Sequence, residues 1–127
     1  MRRLKRRAEF LQVAAVRRSA GMPGLVLQAA RQKTASISGD AGTDVDIGVG
    51  FTASKKVGGA VERNRAKRRL RALAREILPD CARPGQDYVL IARSETPRRP
   101  FALLRRDLIS ALKRLKSWTG SDGVEGR

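Results

Sequence analysis

The stretch from Ala60 to Leu78, AVERNRAKRRLRALAREIL, constrains the fold more than any other part of the chain. At roughly 100 degrees per residue, the advance of an α-helix, Ala66, Leu70, Leu73 and Ile77 fall in one narrow stripe, and Asn64, Arg68, Arg71 and Arg75 gather opposite. Lys67 flanks the polar side on one edge, and Arg65 and Arg69 flank it on the other. One face is therefore core and the other a cationic comb. Pro79 is expected to close the helix, because a proline inside it removes a backbone donor and crowds the preceding turn.

A single apolar stripe must be laid against another element, and the rest of the chain supplies a sheet. Leu25 to Ala30 is a short apolar run bounded by Gly21-Met-Pro-Gly24 and by polar residues, which predicts a strand. Val45, Ile47, Val49 and Phe51 alternate with Asp46, Gly48, Gly50 and Thr52, which predicts a strand with one buried face and an open, glycine-lined other face. Between these lies a loop rich in Ser, Gly, Thr and Asp, Thr34 to Thr43. Asp87 to Arg93 is almost continuously apolar, as a strand covered on both sides would be. Two further helices are predicted: Arg6 to Arg17, with Phe10, Leu11, Val13, Ala14 and Ala15 on its apolar side, and Phe101 to about Lys116, with Leu104, Leu108, Ala111, Leu112 and Leu115. The order is an α+β plan in which helices cover one sheet face and leave the other free for a ligand. A length of 127 residues suits one domain, with the tail from Thr119 to Arg127 left disordered.

Charge narrows the class of partner. Lysine and arginine number 28 against 12 acidic residues, a formal charge of +16, and self-repulsion of that size points to a polyanion. The chain has no histidine, which removes the usual general base and the zinc sets that use imidazole. Its single cysteine, Cys81, can form no internal disulfide. No run approaches the about 18 apolar residues needed to span a bilayer, so a cytoplasmic location is expected. The acid-poor opening MRRLKRRAEFLQVAAVRRSA also has the composition of an organellar transit peptide, but Glu9 and the helical pattern favour a structured element.

Catalytic templates fail. The glycines of Gly48-Val-Gly-Phe-Thr-Ala53 alternate within a strand, whereas a dinucleotide fingerprint needs them to open a helix. No Gly-Lys pair exists to build a P-loop. Asp40, Asp44 and Asp46 fit turn chemistry better than a metal cluster. What remains is the cationic comb. A solvated helix face normally mixes signs, yet Lys67 repels Arg71 and Arg71 repels Arg75 at the i, i+4 spacing. Phosphates would neutralise them, and guanidinium forks suit phosphate well. Phe10 and Phe51 could add stacking surfaces for unpaired bases, although core is the stronger expectation for either.

Ser54 to Arg71, SKKVGGAVERNRAKRRLR, resembles the RNR signature of the protein subunit of bacterial ribonuclease P. Arg7-Ala-Glu-Phe10, Val49-Gly-Phe-Thr-Ala-Ser-Lys-Lys56 and Asp87-Tyr-Val-Leu-Ile-Ala-Arg93 follow in the order that family shows. The resemblance implies a single αβββαβα domain over residues 1–118, with a mixed sheet and a left-handed βαβ crossover. It implies a tRNA-processing ribonucleoprotein, an endoribonuclease whose RNA performs the hydrolysis with Mg2+. In such an assembly the protein itself would carry neither catalytic residues nor a metal site. By the same resemblance Arg63, Asn64, Arg65 and Arg68 face the catalytic RNA subunit. Phe10, Thr52, Lys56, Lys67 and Arg71 take the single-stranded 5′ leader of precursor tRNA, in a cleft between the first helix and the sheet. Ala14 and Gln28 stand where many members carry aromatics, which implies weaker stacking, and Gly59 replaces a usual asparagine. The competing expectations are a structural RNA-binding protein, such as a ribosomal component, and a free protein nuclease, against which the missing histidines argue.

Overall fold

The computed structural model describes residues 2–32 and 47–118. Its elements in chain order are β1 (Arg2–Arg3), α1 (Arg7–Val16), β2 (Ser19–Gly21), β3 (Leu25–Arg31), β4 (Gly48–Thr52), α2 (Ala60–Cys81), β5 (Gln86–Ala92) and α3 (Phe101–Arg114). A single 3-10 turn, Lys55–Val57, leads from β4 into α2. The predicted strand residue Val45, the loop Thr34 to Thr43, Asp40, Asp44, Asp46 and the tail Thr119 to Arg127 lie outside the described residues.

The strands form one mixed sheet in the order β1-β4-β5-β3-β2. β5 is central, parallel to β4 and antiparallel to β3, which explains its near-continuous apolar sequence. β4 and β5 are parallel neighbours, so α2 is the crossover between them. The αβββαβα order holds, with one addition. β1 pairs in parallel with β4, Arg2 opposite Gly48 and Arg3 opposite Val49, a strand the sequence does not announce because two arginines carry no apolar alternation. The first strand of the expected three is β2, a short hairpin partner to β3 closed by the Met22 N–H donating to the Leu25 carbonyl at 2.8 Å.

Both sheet faces carry helices, which corrects the expectation of one free face. α2 and α3 pack on the face formed by Leu25, Leu27 and Ala29 of β3, Val49 and Phe51 of β4, and Tyr88, Leu90 and Ala92 of β5. Ala66, Leu70, Leu73 and Ile77 of α2 are all buried there, and the stripe widens to Ala74 and Leu78. From α3 come Leu104, Leu108, Ala111 and Leu112. The opposite face carries α1 and a smaller cluster of Leu4, Val13, Ala30 and Val89, with Phe10 and Ile91 against it.

The glycine face of β4 is therefore covered rather than open. Gly50 is buried because the Phe10 ring lies across it, and a Cβ there would sit 2.6 Å from two ring carbons. Close approach explains the glycine. The apolar side of α1 also differs from expectation. Val13 is buried and Phe10 half-buried, whereas Leu11 is 54% exposed and Ala14 and Ala15 face outward. The Phe10 and Val13 ridge makes the main contact with the sheet, too narrow to hide the rest.

α2 runs past Pro79 to Cys81. The fixed φ of proline suits a helix, and the loss is confined to one bond in the final turn, which the Ala82 N–H still closes on the Leu78 carbonyl at 3.1 Å. Cys81 is thus helical, and burial together with Asp80 pushes its thiol above the ordinary value, away from reactivity.

Candidate nucleic-acid interface

The turn before α2 sets where the comb begins. The Ser54 hydroxyl accepts from the Lys56 N–H at 3.3 Å, and Gly58 adopts φ 143°, a backbone state that only glycine enters freely. Gly59 is the helix N-cap at φ −76°, an ordinary extended conformation, and offers no side-chain cap. An asparagine at this position would supply a side-chain acceptor. Backbone freedom is used instead at Gly58, one residue earlier.

Along α2 the proposed RNA-subunit residues are presented outward: Asn64, Arg65 and Arg68 are exposed and Arg63 is half-buried. Among the described residues no carboxylate pairs with these side chains, nor with Lys67, Arg71 or Arg75. The balance changes at the far end of the helix, where Glu76 accepts from Arg105 of α3 at 2.6 Å. The uncompensated charge is concentrated in the first four turns.

Arg69 does not belong to the comb. Its guanidinium donates to the carbonyls of Thr96 at 2.9 Å, Pro97 at 2.7 Å and Arg99, clamping the segment between β5 and α3 onto the helix. Burial and the neighbouring Arg65 push its pKa down. The wheel carries a hint, since Arg69 lies three residues after Ala66 and four before Leu73, on the border of the core stripe.

The residues expected from the sequence to take a leader divide between the two faces of β4. Phe10 and Thr52 lie on the α1 side, where Thr52, Ile91 and Val26 share one row across β4, β5 and β3 and are all half-buried. This strip, with half-buried Gln28 beside it, is the part of the face that α1 leaves accessible. Lys67 and Arg71 lie on α2, across the sheet, and Lys56 is exposed in the turn between. β1 pairs with Gly48 and Val49, so among the described residues the β4 edge beyond them has no paired strand. Ala14 is exposed on α1.

Near this edge Arg3, Arg71 and Arg75 line a depression floored by Val49 and Phe51. Sequence reading missed Arg3, because only the pairing of β1 with β4 brings it there. On the α1 side Arg2 is compensated. The Glu9 carboxylate accepts from the N–H groups of Lys5 at 2.9 Å and Arg6 at 3.0 Å and from Arg2, and these bonds hold its pKa at about 2. Asp87 accepts from Arg2 at 3.2 Å and Gln32 at 3.1 Å, yet burial outweighs them and raises its pKa. Among the described residues no group of three or more carboxylate or thiol side chains is placed to hold a metal ion.

Known proteins share this sequence and this fold. A family model described as Ribonuclease P matches residues 1–116. The ribonuclease P protein component of Paramagnetospirillum magneticum is 51% identical over 113 residues, covering 89% of this chain and 81% of that one. That of Ruegeria pomeroyi is 52% identical over 113 residues, covering 88% and 84%. The RNase P protein of Thermotoga maritima superposes with a TM-score of 0.70 at 25% identity, over 90% of this chain and 97% of that one. The Staphylococcus aureus RNase P protein gives 0.72 at 23% identity, over 94% and 99%, which is a likeness of fold.

Proposed function

The chain belongs to the ribonuclease P protein family, and on that footing we propose that it binds two RNAs and holds one against the other. These are the catalytic RNA subunit and the single-stranded 5′ leader of precursor tRNA, and the outcome is the cut that yields the mature tRNA 5′ end. As a ribonuclease P protein component it is part of an endoribonuclease ribonucleoprotein. In this proposal the RNA does the hydrolysis and requires Mg2+. Among the described residues no group of three or more carboxylate or thiol side chains is placed for the ion. No described helix is long and apolar enough to cross a membrane, and we place the protein in the cytoplasm with its RNAs.

The observation that carries the reading is the one-sided charge of α2. Arg63, Asn64, Arg65 and Arg68 are assigned to the RNA subunit, and Lys56, Lys67 and Arg71, with Phe10 and Thr52, to the leader. Like charges at i and i+4 destabilise a helix by a few tenths of a kcal/mol per pair, roughly 0.2–0.5 kcal/mol, until an anion relieves them. Their backs are fixed by a buried stripe, so the side chains are aimed before RNA arrives.

Cleavage of precursor tRNA by the catalytic RNA at low magnesium, with and without the purified chain, tests this. The chain is expected to raise the rate. Equal rates would overturn the processing role and leave a structural RNA binder.

A further inference from the structure

We propose that the depression formed by Arg3, Arg71 and Arg75 over Val49 and Phe51 is a clasp for one RNA phosphodiester, separate from the α1 side of the sheet. The proposal rests on the reading of the chain as an RNA binder and adds a site to it.

Three chain segments converge there. Arg71 and Arg75 stand one helical turn apart on α2, and Arg3 arrives from β1, whose register sets it opposite Val49. The Arg3 guanidinium lies 5.0 Å from the centre of the Phe51 ring. That contact props a flexible side chain in one place, because the ring face attracts the cation. The ring itself is only 8% exposed, so it serves as a prop under the arginine and offers no bare surface to a base.

Charge selects the ligand. No carboxylate pairs with any of the three arginines among the described residues, so three like charges meet on an apolar floor. Apolar walls lower the local dielectric, which increases both their repulsion and their pull on an anion. The depression holds about 100 Å3, room for a phosphate group. Guanidinium forks bind phosphate oxygens in pairs, and three of them leave the base outside and unread. The clasp would therefore fix the path of the RNA without choosing its sequence.

The phosphate could belong to the catalytic RNA or to the leader, and the experiment separates them. Affinity is measured over a salt series for the catalytic RNA alone, and for its complex with the protein binding precursor tRNA with and without a leader. Arg3→Ala and Arg75→Ala are compared with Arg114→Ala, which removes one charge from an exposed site on α3. Arg3→Ala and Arg75→Ala are each expected to weaken binding about threefold to tenfold and to make the slope of log affinity against log salt shallower by about 0.7. Arg75→Lys keeps the charge and should keep the slope. A loss for the catalytic RNA alone assigns the phosphate to it; a loss seen only when the leader is present assigns it to the leader. Urea midpoints confirm that each variant folds. If Arg3→Ala and Arg75→Ala match Arg114→Ala in every arm, the clasp is overturned while the RNA-binding reading stands. If the unmodified chain binds neither RNA, that reading itself has failed.

Discussion

Arg2 and Arg3 are consecutive residues of β1, yet their side chains serve opposite faces of the sheet. Arg2 reaches Glu9 at 2.9 Å and Asp87 at 3.2 Å on the α1 side, and Arg3 lies over Phe51 on the α2 side. Strand alternation alone separates them. One is neutralised within the protein, and the other adds to a cationic surface.

That separation predicts different phenotypes for neighbouring substitutions. Arg2→Ala removes the cation from a mostly buried Asp87 and should lower stability by about 1 kcal/mol. Arg3→Ala should cost no more than about 0.5 kcal/mol, the value of an exposed cation–π contact. Urea denaturation of both variants checks the order; a larger loss for Arg3→Ala would contradict it.

Gly50→Ala should destabilise the protein by about 1–3 kcal/mol, because the new methyl group meets the Phe10 ring. In the background of Phe10→Ala the same change should cost much less. A double-mutant cycle on unfolding free energies reads the coupling directly. Additive losses would mean that the ring does not hold the position described.

Arg69 and Lys67 are expected to trade roles that their spacing hides. Arg69→Ala breaks the clamp on Thr96, Pro97 and Arg99 and should cost about 2 kcal/mol of stability, with the salt dependence of RNA binding unchanged. Lys67→Ala should leave stability nearly untouched and reduce the slope by less than about one unit. With about six cations on single-stranded phosphates, the starting slope is roughly −4.

Acid should loosen the α1 side first. Glu9 falls from an ordinary 4.5 to about 2 on folding, so its contribution is present above about 4.5 and is lost as pH falls toward about 2. Asp87 works in the opposite sense: its raised pKa gives a contribution that is full at low pH and is lost as pH rises through the folded value. Glu9→Gln should flatten the decline in stability between about pH 4.5 and 2. Thermal melting across that window checks it, and an unchanged acid limb would refute the role given to Glu9.

Periodicity made the two faces of α2 legible, because Ala66, Leu70, Leu73 and Ile77 and the opposed cations depend only on helical geometry. The same holds for α3, and for β5, whose apolar run reflects its central place. What was not legible arises from contacts distant in sequence. Gly50 reads as an open face until Phe10, forty residues earlier, is laid across it. Arg69 reads as one more surface cation until the segment beyond β5 folds back to its guanidinium. Arg2 and Arg3 read as a basic leader until β4 gives them a strand to pair with.

β1 is held by a handful of backbone bonds, among them the Arg2 N–H to Ile47 at 2.7 Å and the Leu4 N–H to Val49 at 2.9 Å. β5 is buried on both sides at the centre of the sheet. Amide exchange at β1 is therefore expected to proceed by local opening, and at β5 only through global unfolding. The segment that carries Arg3 is then expected to open and close while the rest stays folded. RNA would then meet a hinged latch, and slowed exchange at Leu4 in the complex would be its signature.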